Sequence, residues 1–194
     1  MSTTTQAALA ADLRRRLSAA DQRARDVVEG LDDAALVRRP ANGGWSVDEV
    51  LEHLVVSADS YLEILPGAID RSRRHVGGPD TPWWPSRLGG WLERSLRPGT
   101  RAMPAPKSYR PGPAPRAGVL AEFLDRQAKF ARLMDDAGAV EWRRVRLGSP
   151  ILGLIRMNLG DVFLINATHV ERHMGQAERV RAEVAGPAAA AGVT

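Results

Sequence analysis

Asn158–Val184, NLGDVFLINATHVERHMGQAERVRAEV, carries two histidines four residues apart, His169 and His173. On an α-helix four residues turn the chain through about 400°, so both imidazoles leave one face roughly one turn apart. Val162, Asn166, His169, His173, Ala177 and Val180 follow the three- and four-residue steps of an inward stripe, with Glu171, Glu178 and Arg179 mostly elsewhere. A lone inward histidine is usually a core residue bonded to a carbonyl. Two side by side suit a metal ion, because neutral imidazole is a ligand for zinc, nickel and iron. Two donors do not make a tight site, so a third is needed.

The composition narrows the chemistry. With 194 residues, 44% of them hydrophobic and 26% charged, the chain reads as one globular domain with a sizeable core. No apolar run approaches the roughly 18 residues of a membrane span. The first residues, MSTTTQAALAADLRRRL, lack the apolar centre of a secretory signal, and a cytoplasmic location is expected. There are no cysteines. Disulfides, thiolate ligands and a cysteine nucleophile are therefore excluded, leaving histidine and carboxylate as ligands. The net charge is +4, with 25 Arg against 2 Lys. The arginines are scattered, many beside acids at helical spacing, as in Asp12 with Arg16 and Glu122 with Arg126, so no nucleic-acid partner is expected.

Outward from the histidine helix, the periodicity predicts three more long helices. Leu9, Leu13, Leu17, Ala20, Ala24, Val27 and Leu31 mark an amphipathic helix over Gln6 to Glu29, ended by Gly30. A short turn of helix follows, with Asp32 or Asp33 at its N-cap and Pro40 as its stop. Ser46-Val47-Asp48-Glu49 is a capping box, with Trp45 and Val50 placed as a hydrophobic staple. The row Val47, Val50, Leu51, Leu54, Ala58, Tyr61, Leu62, Leu65 then runs to Pro66-Gly67, which ends or kinks the helix. His53 lies at the edge of that row and supplies the third donor.

Residues 66 to 115 are less regular. A helical extension is expected near Ala68 to His75, a break at Gly77 to Pro82, and a short helix around Ser86 to Leu96. Six prolines between Pro98 and Pro115 predict an extended crossover over the surface. Trp83 and Trp84 are expected to pack at the bundle end, and His75 to be exposed. A further helix spans about Arg116 to Ala137, and Trp142 to Met157 reads as an irregular connector with a Gly148-Ser149-Pro150 turn. Residues 185–194 read as a frayed tail. The expected fold is all-α: one four-helix bundle over residues 1–184, with a long crossover between helices two and three.

Other histidine patterns fail. A zincin needs H-E-x-x-H, whereas Glu171 stands two places after His169, about 200° round the helix. Bundle di-iron sites use Glu-x-x-His pairs, which are missing. At Arg39-Pro40, Gly44-Trp45-Ser46, Glu49, His53-Leu54, then His169, Arg172-His173 and Gln176, the chain resembles the DinB/YfiT-like superfamily of metal-binding four-helix bundles, in the same order across nearly the whole length. The resemblance implies that His53, His169 and His173 hold one divalent metal, commonly zinc or nickel, in a bundle that often forms a homodimer. Members looking like this include metal-dependent transferases and isomerases that use bacillithiol, mycothiol or glutathione. Residues 66–115 match no family pattern.

No acid stands convincingly as a general base on the metal-facing side of the last helix. A mechanism without one would let the metal lower the pKa of a bound thiol or water. With no cysteine in the chain, the thiol would arrive as a low-molecular-weight cofactor. Arg172 and Gln176 are the catalytic candidates: they would orient ligands or bind a substrate carboxylate, with a salt bridge as the alternative for Arg172 and a hydrogen bond to a ligand histidine for Gln176. Asn166 is a weaker candidate of the same kind. Three functions fit: a metal-dependent thiol transferase acting on a small electrophile, a metal-dependent hydrolase using bound water, and a non-catalytic metal-binding, stress-associated bundle.

Overall fold

The computed structural model describes residues 3–101, 104–112, 114, 116, 118–150 and 156–185. Helix α1 spans Gln6–Val28, and the Thr5 side chain accepts from the Ala8 N–H at its start. The short α2, Asp33–Leu36, is capped by Asp32. Helix α3, Val47–Leu62, opens on the Ser46/Glu49 capping box. Leu65–Arg71 forms α4 and Arg87–Leu96 forms α5, with Ser86 as N-cap. Val119–Asp136 is α6 and Leu159–Val184 is α7.

Helices α1, α3, α6 and α7 pack in a closed ring, α1 on α6 and α7, and α3 on the same two. Ion pairs give their directions. Arg16 with Glu171 and Arg23 with Glu178 step in register along α1 and α7, so these run parallel. Arg14 near the start of α1 meets Asp135 at the end of α6, so that pair is antiparallel. Asp59, late in α3, meets Arg126 of α6, while Glu52 meets Arg116 just before α6; these two helices run the same way. The order is therefore up, down, down, up, which demands a long return between the second and third members. Helix α5 makes part of that return. It lies outside α7 and parallel to it, joined in order by Ser86 to Asp161, Glu93 to Thr168 and Arg97 to Arg172.

The apolar interior forms two clusters stacked along the bundle. One is centred on Leu13, Leu17, Tyr61, Phe130 and Phe163, the other on Ala24, Leu51, Leu54, Phe123 and Met174. On α7 the first ends at Ala167 and the second begins at Val170, so His169 stands where they meet.

The expected all-α bundle and its crossover are what the chain forms, with local differences. Thr4–Thr5 (β1) pairs antiparallel with Pro82–Trp83 (β2), and the connector over Trp142 to Met157 is not wholly irregular, because Arg146–Gly148 (β3) pairs antiparallel with Arg156–Asn158 (β4). Strands of two or three residues are too short to show alternation. The second helix breaks at Glu63 and Ile64, before Pro66, which sits in the first turn of α4 where its missing N–H costs nothing. Helix α7 starts on a capping box of Asn158 and Asp161, an amide–carboxylate version of the usual Ser/Glu pair. Its buried stripe runs through Phe163, Ala167, Val170, Met174 and Ala177, so His169 and His173 each stand one residue off it and flank the core on the α3 side. His75 is half-buried, its carbonyl accepting from the Glu141 N–H. Of the tail expected at 185–194, all but Ala185 lies outside the described residues. Among the described residues no helix is long and apolar enough to cross a membrane.

The start of α7 is locked by close approach. Asp161 is fully buried and accepts from the backbone N–H groups of Asn158 and Ser86. The Trp83 indole donates to Asn158 Oδ1 at 3.2 Å and lies directly against Gly160, so a methyl there would run into the ring. Gly160→Ala is expected to destabilise the protein by about 1–3 kcal/mol through overpacking. The check is a lower urea midpoint at unchanged m-value; an unchanged midpoint would contradict this packing.

Candidate metal centre

His53 comes from α3, His169 and His173 from α7, and their ring centroids lie 4.6–5.0 Å apart, each edge-on to the others. The Nε2 atoms of His53 and His169 are 3.1 Å apart. Two nitrogens on one ion, each at about 2.0–2.1 Å, sit about 2.9–3.4 Å from each other, so the spacing suits shared coordination. One ligand atom from each of the three histidines lies within 4.8 Å of the others. Among the described residues the cluster contains no carboxylate.

The far sides of two rings are held. His53 Nδ1–H donates to the Tyr109 carbonyl at 2.6 Å, and His173 Nδ1–H donates to Gln176 Oε1 at 2.9 Å. Each bond puts the proton on Nδ1 and leaves the lone pair on Nε2, which in His53 faces His169, the outer-shell arrangement that fixes a metal-binding imidazole. Tyr109 is itself anchored, its hydroxyl donating to Ser60 Oγ at 2.8 Å. Trp45 walls the site, tilted over His53 at 4.8 Å between centroids and stacked on His173 at 6.2 Å.

Burial keeps the imidazoles neutral. His53, only 4% exposed, is pushed below the ordinary histidine range by burial, partly offset by the Tyr109 carbonyl. Burial lowers His169 far more, helped by the neighbouring His173 and His53 and then Arg172. His173 falls to about 3, through burial and then His53. Neutral imidazole is the form that binds metal.

The structure thus brings together the three residues read as ligands. Gln176 bonds His173. Arg172 has other company: its guanidinium donates to the carbonyls of Arg97 and Thr100 and to Thr100 Oγ1, tying the end of α5 and the start of the crossover to the histidine helix. Asn166 Nδ2 is buried without a hydrogen-bond partner among the described residues. Arg39 pairs with Glu49, which also closes the Ser46 capping box, so the Arg39-Pro40 and Ser46/Glu49 segments form one brace at the start of α3. Sequence reasoning missed Tyr109, and it read Trp45 as a staple and as part of the family pattern but not as a wall of the site. Tyr109 acts on His53 through its backbone carbonyl, for which no residue type is a signal.

The chain is an up-down-down-up four-helix bundle whose second and fourth members carry three histidines that could hold a metal ion. The family profile of the DinB superfamily matches residues 16–177, most of the chain, and the protein belongs to that superfamily. Neither the curated proteins nor the solved structures gave a match.

The depressed histidines have a consequence for stability without metal. Unfolded, each would titrate near 6.5, so between that value and the lower folded values the unfolded chain binds more protons. Their contribution is whole above about pH 6.5 and is lost as the pH falls. Asp21, raised to about 6 by burial, acts in the opposite sense. The diagnostic is therefore a difference: metal-free His173→Gln should lose less stability than metal-free wild type between pH 7 and pH 4 in urea titrations. Parallel pH profiles would contradict the assignment.

Proposed function

We propose that this protein is a metal-dependent enzyme that activates a low-molecular-weight thiol for transfer to a small electrophile, with His53, His169 and His173 holding one divalent ion, zinc or nickel. The observation that carries the reading is the set of three neutral imidazoles, two with their far nitrogens already hydrogen-bonded. When bound, such an ion supplies Lewis acidity that lowers the pKa of a thiol or water at the same centre. Three uncharged ligands leave the full positive charge to attract an anion, and a thiol needs much less help to ionise than water does.

The protein side chains do the rest. The Tyr109 carbonyl and Gln176 aim the rings of His53 and His173. Trp45 covers one side and limits water. Arg172, read from sequence as a catalytic candidate, is a positioning residue in this proposal: it fastens Arg97 and Thr100 so that the crossover stays against the histidine pair. Cluster membership among the described residues is histidine only, which favours a reaction needing no protein carboxylate as base.

His53→Ala should abolish thiol conjugation while the helical circular dichroism is retained. Gln176→Ala should weaken metal binding about 10–100-fold, in line with loss of an outer-shell partner. Equal turnover without any thiol would replace this proposal with a hydrolase. One metal per chain with no turnover on a broad electrophile panel would replace it with a non-catalytic metal-binding bundle.

A further inference from the structure

A cavity lies away from the histidines, where the end of α1, the short α2 and the first turns of α3 and α6 meet. It has a volume of about 460 Å³ and apolar walls that include Val28, Leu36, Val37, Val119 and Leu120. Asp48 opens into it. From Asp48 to His53 is five residues, about 140° round α3, so the cavity and the histidine site lie on different faces of the same helix.

Asp48 is 8% exposed as a whole residue; among the described residues its carboxylate has no hydrogen bond and no ion pair, and its oxygens keep some accessible surface. A largely enclosed carboxylate that has only solvent and its place in the first turn of α3 to steady it gains from a cation or a donor. The cation on the cavity wall, Arg116, is engaged elsewhere: it pairs with Glu122 and reaches Glu52 at 3.5 Å. Asp33 is exposed at the rim and adds negative charge, and burial together with Asp33 and Glu52 disfavours the ionised form of Asp48. An added positive charge would relieve all three. A hard divalent ion would not suit the place, because calcium wants six to eight oxygens and magnesium six, and these walls are largely hydrocarbon.

We infer that this cavity binds a small organic cation, a primary ammonium on an apolar body, with the ammonium on Asp48 and the body against Val119 and Leu120. The site is independent of the metal centre and of the activity proposed there.

The test is calorimetric titration of the full-length protein with phenethylamine at pH 7.5, beside its neutral and anionic counterparts, 2-phenylethanol and 3-phenylpropionate. The amine should bind saturably at one site per chain, with the other two about tenfold weaker or more, the cost of facing a buried carboxylate without its counter-charge. Asp48→Asn should lose about tenfold or more for the amine, and Leu120→Trp, which fills the cavity, should block it. His53→Ala should bind the amine as wild type does, separating this site from the metal. Equal binding of amine and alcohol, undiminished amine binding by a folded Asp48→Asn variant, or no saturable binding by folded wild type would each overturn the inference.

Discussion

Helices α3 and α6 run the same way, and that single constraint shapes the rest of the molecule. Parallel neighbours cannot be joined by a tight turn, so the chain must travel back along the bundle between Leu62 and Val119. On the way it lays α5 along α7 and brings Tyr109 to α3. The carbonyl of Tyr109 accepts from His53 at one point, and Arg172 holds Arg97 and Thr100 at another. The return is thus fastened to both helices that supply histidines. A connection required by topology has become the outer support of the site.

The second theme is the treatment of charge. Three imidazoles side by side would repel one another if protonated, and burial removes that option by favouring the neutral form. Around them the acids are already committed. Glu171 faces Arg16, Glu93 faces Arg97, and Glu49 faces Arg39, each turned to a structural partner. These pairs hold α7 against α1, steady the end of α5, and brace the start of α3. The centre is left with nitrogen donors and an aromatic wall, an uncharged imidazole set of the kind that suits a divalent ion such as zinc or nickel.

Much of this was legible in the sequence, for identifiable reasons. The Ser46/Glu49 box and the helical steps of Leu9 to Val27 are local signals, and local signals survive folding. The four-residue spacing of His169 and His173 places both rings on one side whatever α7 packs against. His53 was legible as the remaining donor on an apolar helix. What could not be seen depends on long-range placement or on backbone atoms. Tyr109 contributes a carbonyl, Arg172 binds carbonyls 72 and 75 residues away, and β3 and β4 are three residues each. The histidines were read on the centre of the buried stripe, whereas they stand one residue off it. The sequence shows a helical period but not which neighbour each edge will meet.

The claim at the centre is that imidazoles of residues 53, 169 and 173 share one ion. X-ray absorption at the zinc edge of protein loaded with one equivalent of zinc tests it directly. The account predicts three imidazole nitrogens at about 2.0–2.1 Å, with any remaining ligand being water or added thiol. A fit with one imidazole or none, or a spectrum unchanged when His169 is replaced by alanine, would contradict it.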